Sequence, residues 1–288
     1  MSKTAKLSNS SGQKIIDYYR KYNEQVRLKQ STGQLEFVRT KEILNRFLPA
    51  PPAIVYDIGG AAGSYSLWLA RHGYEVHLVD LVPEHIEKAR FTSQQQAAHP
   101  IASLTVGDAR NIDRKSESVD AVLLMGPLYH LEKKTARYDA LREAYRILRD
   151  GGIILCAAIS RFASLFNGLR ENYLEDPVFM NIVRQDLKTG VHQNPTDNPE
   201  YFTTSYFHHP DELREELEAA DFEFECTLAV ESIGNQLPDF DNKWQDLAWR
   251  ERLLNAIRLV EEEPSLLGIG DHLIAVARKV ISYDDLAA

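Results

Sequence analysis

A chain of 288 residues, 44% hydrophobic and 26% charged, is long enough to bury a sizeable core in one or two domains. Its 42 acidic against 33 basic residues leave a net charge of −9, which argues against tight non-specific nucleic-acid binding, because that depends on cations that neutralise phosphate. No apolar run reaches the ~18 residues of a membrane span and no apolar signal core stands at the N-terminus. The two cysteines, Cys156 and Cys226, sit inside apolar runs and read as reduced core residues, so a cytoplasmic location is expected.

Met1 to Gly12 is polar and rich in Ser and Lys, and is expected to be disordered. From Gln13 to Lys29, Ile15, Tyr18, Tyr19, Tyr22 and Val26 recur at three- and four-residue steps, which predicts a helix ended by Ser31-Thr32-Gly33. A second helix is expected over Leu35 to Leu48, closed by Pro49, Pro51 and Pro52.

Ala53 to Gly63 is the stretch around which the chain is organised. Ala53-Ile54-Val55-Tyr56-Asp57-Ile58 reads as a buried parallel strand, Gly59-Gly60-Ala61-Ala62-Gly63 as a tight turn, and Ser64 to His72 as a helix. The N–H groups of that helix's first turn would point at a ligand in the turn. A dinucleotide turn wants G-x-G-x-x-G, and here Gly59, Ala61 and Ser64 stand at its three glycine places. A phosphate-binding P-loop would need Lys after Gly63, and Ser64 stands there. Asp57, two residues before Gly59, would repel a pyrophosphate but suits a ligand with an ammonium group, such as a nucleoside with an amino-acid tail. Val55 to Gly63 resembles motif I, D-x-G-x-G-x-G, of the class I S-adenosylmethionine-dependent methyltransferases, with Ala61 at the middle glycine.

The second strand, Glu75 to Asp80, ends in an acid about 20 residues past the turn, where a carboxylate accepts hydrogen bonds from ribose hydroxyls. Leu81 and Val82 follow it and would flank an adenine, and Pro83 opens the next helix. The third strand, Ile101 to Val106, leads into Gly107-Asp108-Ala109-Arg110; the resemblance gives Asp108 the adenine amino group and Ala109 a ring nitrogen. The fourth strand runs from Ser118 to Met125, and open sheets place ligands at such strand ends. The Met125-Gly126-Pro127-Leu128-Tyr129-His130-Leu131 segment should therefore face both cofactor and methyl acceptor. It has no Asn-Pro-Pro-Tyr-type run, and resembles the small-molecule, quinone-type branch of the family. Arg137 to Arg149 is expected as a helix capped by Gly151-Gly152, with Ile153 to Ile159 as the fifth strand.

Arg161 to Phe207 breaks the alternation and is expected to be a small helical cap over the acceptor, with Tyr201, Phe202, Tyr206 and Phe207 as lining. Phe222 to Ala229 and Asp271 to Val280 read as the last strands, with an amphipathic helix over Trp244 to Glu263 between them. The whole is expected to be an α/β fold, a doubly wound, seven-stranded, mostly parallel sheet. Its divisions would be a disordered stretch 1–12, an N-terminal helical lid 13–52, a cofactor-binding core 53–160, a cap 161–207 and the remainder of the same domain, 208–288.

The resemblance implies S-adenosylmethionine as cofactor and S-adenosylhomocysteine as product. Its expected contacts are Asp57, Gly59, Gly60, Gly63, Asp80, Leu81, Asp108, Ala109 and Met125, with Tyr19 as lid and Arg39 pairing with the cofactor's carboxylate. Tyr129, His130 and His209 are the candidates for touching a small-molecule acceptor, a histidine serving as base where an oxygen is methylated. His208 and His209 are adjacent and would point to opposite faces of a strand, so no metal is expected. The alternatives are a non-catalytic S-adenosylmethionine-binding protein, an RNA or protein methyltransferase, and a nicotinamide-dependent oxidoreductase. A monomer or homodimer, with no nucleic-acid partner, is expected. The acceptor and its methylated atom stay open.

Overall fold

The computed structural model describes residues 11–21, 24–196 and 198–281. Strand β1 (Ile54–Ile58) lies at the centre, parallel to β2 (Glu75–Asp80) on one side and β4 (Val119–Leu124) on the other. Beyond β2 lies β3 (Ser103–Val106), and beyond β4 lies β5 (Leu148–Ser160), both parallel to their neighbours. Past β5 the direction reverses. The last strand, β9 (His272–Lys279), enters antiparallel to β5, and β8 (Phe222–Ala229) pairs with β9 at the edge. These seven strands are the expected main sheet. Two more, β6 (Val191–His192) and β7 (Ser205–His208), form a short antiparallel ribbon. The ribbon hangs on the end of β5 through Ile159–Phe207 and Ser160–His208.

Both faces of the sheet's centre are covered, and β1, β4 and the second half of β5 carry apolar side chains on both faces. Side chains alternate along a strand, so Val55, Leu123 and Leu155 face one way, while Tyr56, Val122 and Ile154 face the other. The first face packs on Ile43 and Leu44 of the helix Gly33–Phe47 and on Trp68 and Leu69 of Ser64–Arg71. The second packs on Ala140, Leu141 and Ala144 of Lys134–Ile147 and on Leu213 and Leu217 of Pro210–Ala219. On that face a buried ion pair joins the two helices: Arg137 Nη2 lies 2.6 Å from Glu216 Oε1, with the Tyr206 ring 3.7 Å from the guanidinium carbon. Burial would push the Glu216 carboxyl up, but His208 and Arg137 override it and bring it down to about 2.

Several expectations need correction. Residues 1–10 and Tyr22 lie outside the described residues, and Ser11 and Gly12 already belong to the first helix, Ser11–Lys21. Glu24–Arg27 forms a separate short turn of helix. Gly33–Phe47 packs on the sheet, while Ile15 and Tyr19 of the first helix, with Leu28 and Glu36, line the ligand cleft. The Gly151-Gly152 pair is no helix cap. The helix ends at Ile147, β5 begins at Leu148, and Gly151 (φ +71°) lies in an irregular register against β4. The cap is mixed: helices Ala163–Arg170 and Pro177–Thr189 precede the β6–β7 ribbon. Asp176 caps the second helix through Val178 N–H at 2.8 Å. Among the described residues no helix is long and apolar enough to cross a membrane.

Candidate functional site

The strand order reverses between β1 and β4, and a cleft opens at the C-terminal ends of β1, β2 and β4, where open α/β sheets hold ligands. The turn after β1 is folded by close contacts. A Cβ on Gly59 would come within 2.4 Å of Pro127, and one on Gly60 within 2.3 Å of the Asp57 carboxyl. Gly59, Ala61 and Gly63 all take positive φ, at +77°, +49° and +79°, so Ala61 holds a conformation that favours glycine. Its N–H donates to Asp80 Oδ2 at 2.9 Å. Asp80 Oδ1 accepts from Val82 N–H at 2.8 Å and lies 3.1 Å from His85 Nδ1. The acid at the end of β2 thus ties the turn to the start of the next helix.

Asp57 lies behind this turn, not on the cleft wall. It is fully buried, Ser66 Oγ donates to its Oδ2 at 2.6 Å, and its Oδ1 has no hydrogen-bond partner among the described residues. Burial pushes the carboxyl up to about 6; the Ser66 hydrogen bond opposes this and the charge of Asp80 adds to it. Gly63 also stands off the cleft, packed near Leu78, Ala89 and Ile101.

Gly59, Gly60, Asp80, Leu81, Asp108, Ala109 and Met125 line the cleft. Asp108 pairs with Arg110, Nη2 to Oδ2 at 2.5 Å; burial would raise its carboxyl, but the Arg110 hydrogen bonds and charge hold it below its ordinary value. The helix Pro127–His130 follows β4 and brings Tyr129 and His130 to the same cleft. Tyr19 closes it from above, its Oη 2.8 Å from His130 Nε2. Burial pushes His130 down to about 4, against the charge of Asp80 and the Thr204 backbone, so the imidazole is neutral at pH 7. Arg20, next to Tyr19 on the helix Ser11–Lys21, reaches Glu84 at 2.8 Å.

The cleft has a volume of ≈ 210 Å³. A second chamber of ≈ 850 Å³ adjoins it, and Tyr19 and Tyr129 line both. Tyr201, Phe202 and Phe207 of the cap line the chamber, but Tyr206 does not; it lies against Arg137. His272 lines the chamber and Glu36 the cleft, and together with the buried Glu231 they bring carboxylate and imidazole atoms within 4.8 Å of one another. Arg27 lies bidentate on Glu36 at 2.5 and 2.9 Å, and His272 Nδ1 is 2.6 Å from Glu231. Burial alone would lower His272, yet Glu36 and Glu231 raise it to about 10; burial would raise Glu36, yet Arg27 and His272 bring it to about 2. The group behaves as an ion-pair network around a protonated imidazole.

Two expected residues are elsewhere. Arg39 is buried against Glu42, Glu261 and the Val230 carbonyl, so its guanidinium is consumed in joining Gly33–Phe47 to the C-terminal part of the chain. His209 is exposed at the start of Pro210–Ala219 and rests edge-on against Phe162 at 5.3 Å, lining neither cavity. Sequence reasoning missed His85, Ser64, Tyr65, Arg110 and Glu36 on the cleft wall. His85 carried a signal, since it stands in the first turn of the helix that follows the β2 acid.

The methyltransferase domain family matches residues 56–156. An uncharacterized methyltransferase of Mycobacterium tuberculosis is 32% identical over 111 residues, 38% of this chain and 42% of that protein. The chain thus spans less than half the length of this relative. A ubiquinone/menaquinone biosynthesis C-methyltransferase of Dinoroseobacter shibae is 26% identical over 184 residues, 63% of this chain and 70% of its own length. Among solved structures, a methyltransferase from Methanosarcina mazei superposes with a TM-score of 0.57 at 16% identity, covering 83% of this chain and 98% of its own. One from Aquifex aeolicus gives 0.52 at 12%, covering 90% and 100%. Residues 56–156 are thus similar to the methyltransferase domain family, in a chain whose Rossmann-like fold is shared with these methyltransferase structures.

Proposed function

We propose that the chain is an enzyme that transfers the methyl group of S-adenosylmethionine to a small-molecule acceptor. The observation that carries this reading is the adjacency of two cavities, the cleft at the strand ends and the larger walled chamber, which meet at Tyr19 and Tyr129. The cofactor supplies a methyl group activated by a cationic sulfur. The residues present fit it: Asp80 offers a carboxylate to the ribose, Leu81 and Val82 an apolar edge, and Asp108 and Ala109 acceptor and donor for an adenine. Close backbone approach at Gly59 and Gly60 suits the sulfonium and amino-acid tail. Asp57 acts from behind, by holding the turn.

What the chain contributes to methyl transfer is orientation and exclusion of water. Tyr19 serves as the lid residue, held across the throat by His130. With the imidazole neutral, its Nε2 accepts the Tyr19 O–H, so His130 positions the lid in this arrangement and would meet the acceptor's proton only when Tyr19 turns away. Tyr129 is the second acceptor-facing residue. The cap residues Tyr201, Phe202 and Phe207 wall one side of the chamber, which suits a small molecule. The likeness to quinone C-methyltransferases adds a ring carbon to the possible methylated atoms.

Calorimetric titration with S-adenosylmethionine and S-adenosylhomocysteine tests the reading. Binding in the micromolar range is expected, with Asp80→Asn weaker by about 10–100-fold, the value of a charged hydrogen bond. No binding, or equal affinity in Asp80→Asn, would overturn it; a parallel titration with a nicotinamide cofactor covers the oxidoreductase alternative.

A further inference from the structure

We infer that the acceptor chamber selects a molecule that carries a protonated amine beside an aromatic or otherwise planar body, with Asp271 as the amine's anchor; this rests on the methyl-transfer reading above. Asp271 lines the chamber, and its Oδ2 is held by Asn235 Nδ2 at 2.7 Å and Arg170 Nη2 at 3.1 Å. Its Oδ1 is buried and has no hydrogen-bond partner among the described residues. The same is true of Oδ1 of Asn235, a residue only 3% exposed that stands behind the chamber wall. Two neighbouring buried acceptors thus lack donors. Such groups are costly unless something donates to them, and an ammonium brings three N–H donors.

The charges around the chamber favour a cation over an anion. Each nearby cation is already matched: Arg27 by Glu36, His272 by Glu231 and Glu36, and Arg170 by Asp271 and, at 3.5 Å, Glu171. Glu200 adds a further carboxylate at the wall. A carboxylate ligand would have to displace one of these, whereas an ammonium is placed to share the Asp271 carboxylate with Arg170. On the cap side, Tyr173, Phe179 and Tyr201 pack at 4.7–5.4 Å centroid distances and Phe202 extends this aromatic wall. Aromatic faces receive a planar body and attract a cation.

Three probes of one skeleton test the inference: tyramine, 4-ethylphenol and 3-(4-hydroxyphenyl)propanoate, titrated into the whole chain with and without saturating S-adenosylhomocysteine. Tyramine is expected to bind at least about tenfold more tightly than either of the others, and Asp271→Asn to erase that preference while leaving S-adenosylhomocysteine affinity unchanged. Equal or tighter binding of the carboxylate or the neutral phenol to the wild-type chain would overturn the inference, as would a tyramine preference that survives in Asp271→Asn. So would absence of tyramine binding in a protein that binds S-adenosylhomocysteine. Loss of S-adenosylhomocysteine binding alone, with the tyramine preference intact, would instead overturn the cofactor reading. The wild-type comparison needs no variant, and thermal unfolding of Asp271→Asn checks that it folds.

Discussion

At the residue scale, the turn after β1 shows how much one carboxyl can be altered by its surroundings. Asp57 is an acid without exposure, pushed up to about 6 by burial. A folded-state value above the unfolded one favours the protonated form in the fold. The stability this gives is fully present below about pH 4, and it is lost as the pH rises through 6. Asp57→Asn keeps the shape and removes the titration. It is expected to gain up to about 2–3 kcal/mol over the wild type at pH 7.5 and little at pH 4. Urea unfolding at the two pH values measures this; equal differences at both would contradict it. Ala61 is the other residue under strain, since a side chain at φ +49° is disfavoured by about 1 kcal/mol. Ala61→Gly is expected to raise the melting temperature by about 1–3 °C, because relief of strain exceeds the entropy that glycine adds to the unfolded chain. Calorimetry decides between that and a fall.

At the scale of elements, most of the chain's pieces could be read locally, and their errors share a cause. Strands β1, β4 and β5 were legible because each carries an apolar run that supplies side chains to both faces, the mark of a strand covered on both sides. Gly151-Gly152 misled because glycines end helices and also permit irregular strand starts, and pairing with β4 decided for the second. The cap's ribbon was illegible because β6 and β7 are held by bonds to each other and to the end of β5, which local periodicity does not carry. The ion pair Arg137–Glu216 joins helices far apart in sequence and belongs to the same class of features. Glu216, brought down to about 2, adds stability that is present above about pH 4.5 and is lost as the pH falls toward 2. Glu216→Gln leaves Arg137 buried without a countercharge and is expected to cost about 3–5 kcal/mol at pH 7. Chemical denaturation measures it, and a loss under 1 kcal/mol would mean that the pair is not buried as described.

On the scale of the whole molecule, the Arg27–Glu36–His272–Glu231 network fastens the N-terminal segment to the last strand. His272, raised to about 10, adds stability that is fully present below about pH 6.5 and disappears as the pH climbs through 10. Glu36, lowered to about 2, adds stability present above about pH 4.5 and lost toward 2. Both terms are complete together only between roughly pH 4.5 and 6.5. His272→Gln is expected to remove the alkaline decline. If melting temperatures of wild type and variant fell in parallel from pH 7 to 10, the network would not carry this linkage.

The sequence alone determined the sheet's parallel core, the turn after β1, and the acids at the ends of β2 and β3. These depend on short spacings and on apolar runs that force burial. Gly59, Gly60, Asp80, Leu81, Met125, Tyr129 and His130 stand at those strand ends and turns, Asp108 and Ala109 were named from the resemblance, and all line one cleft. Tertiary structure alone decided which of the remaining charged and polar groups face a ligand. It placed Asp57 behind the turn, drew Arg39 into a buried pair, left His209 outside, and gathered Arg27, Arg170, Tyr201 and Asp271 around one chamber. A motif fixes only its own few bonds of chain. Whether a side chain reaches a cavity depends on the packing of segments hundreds of residues apart.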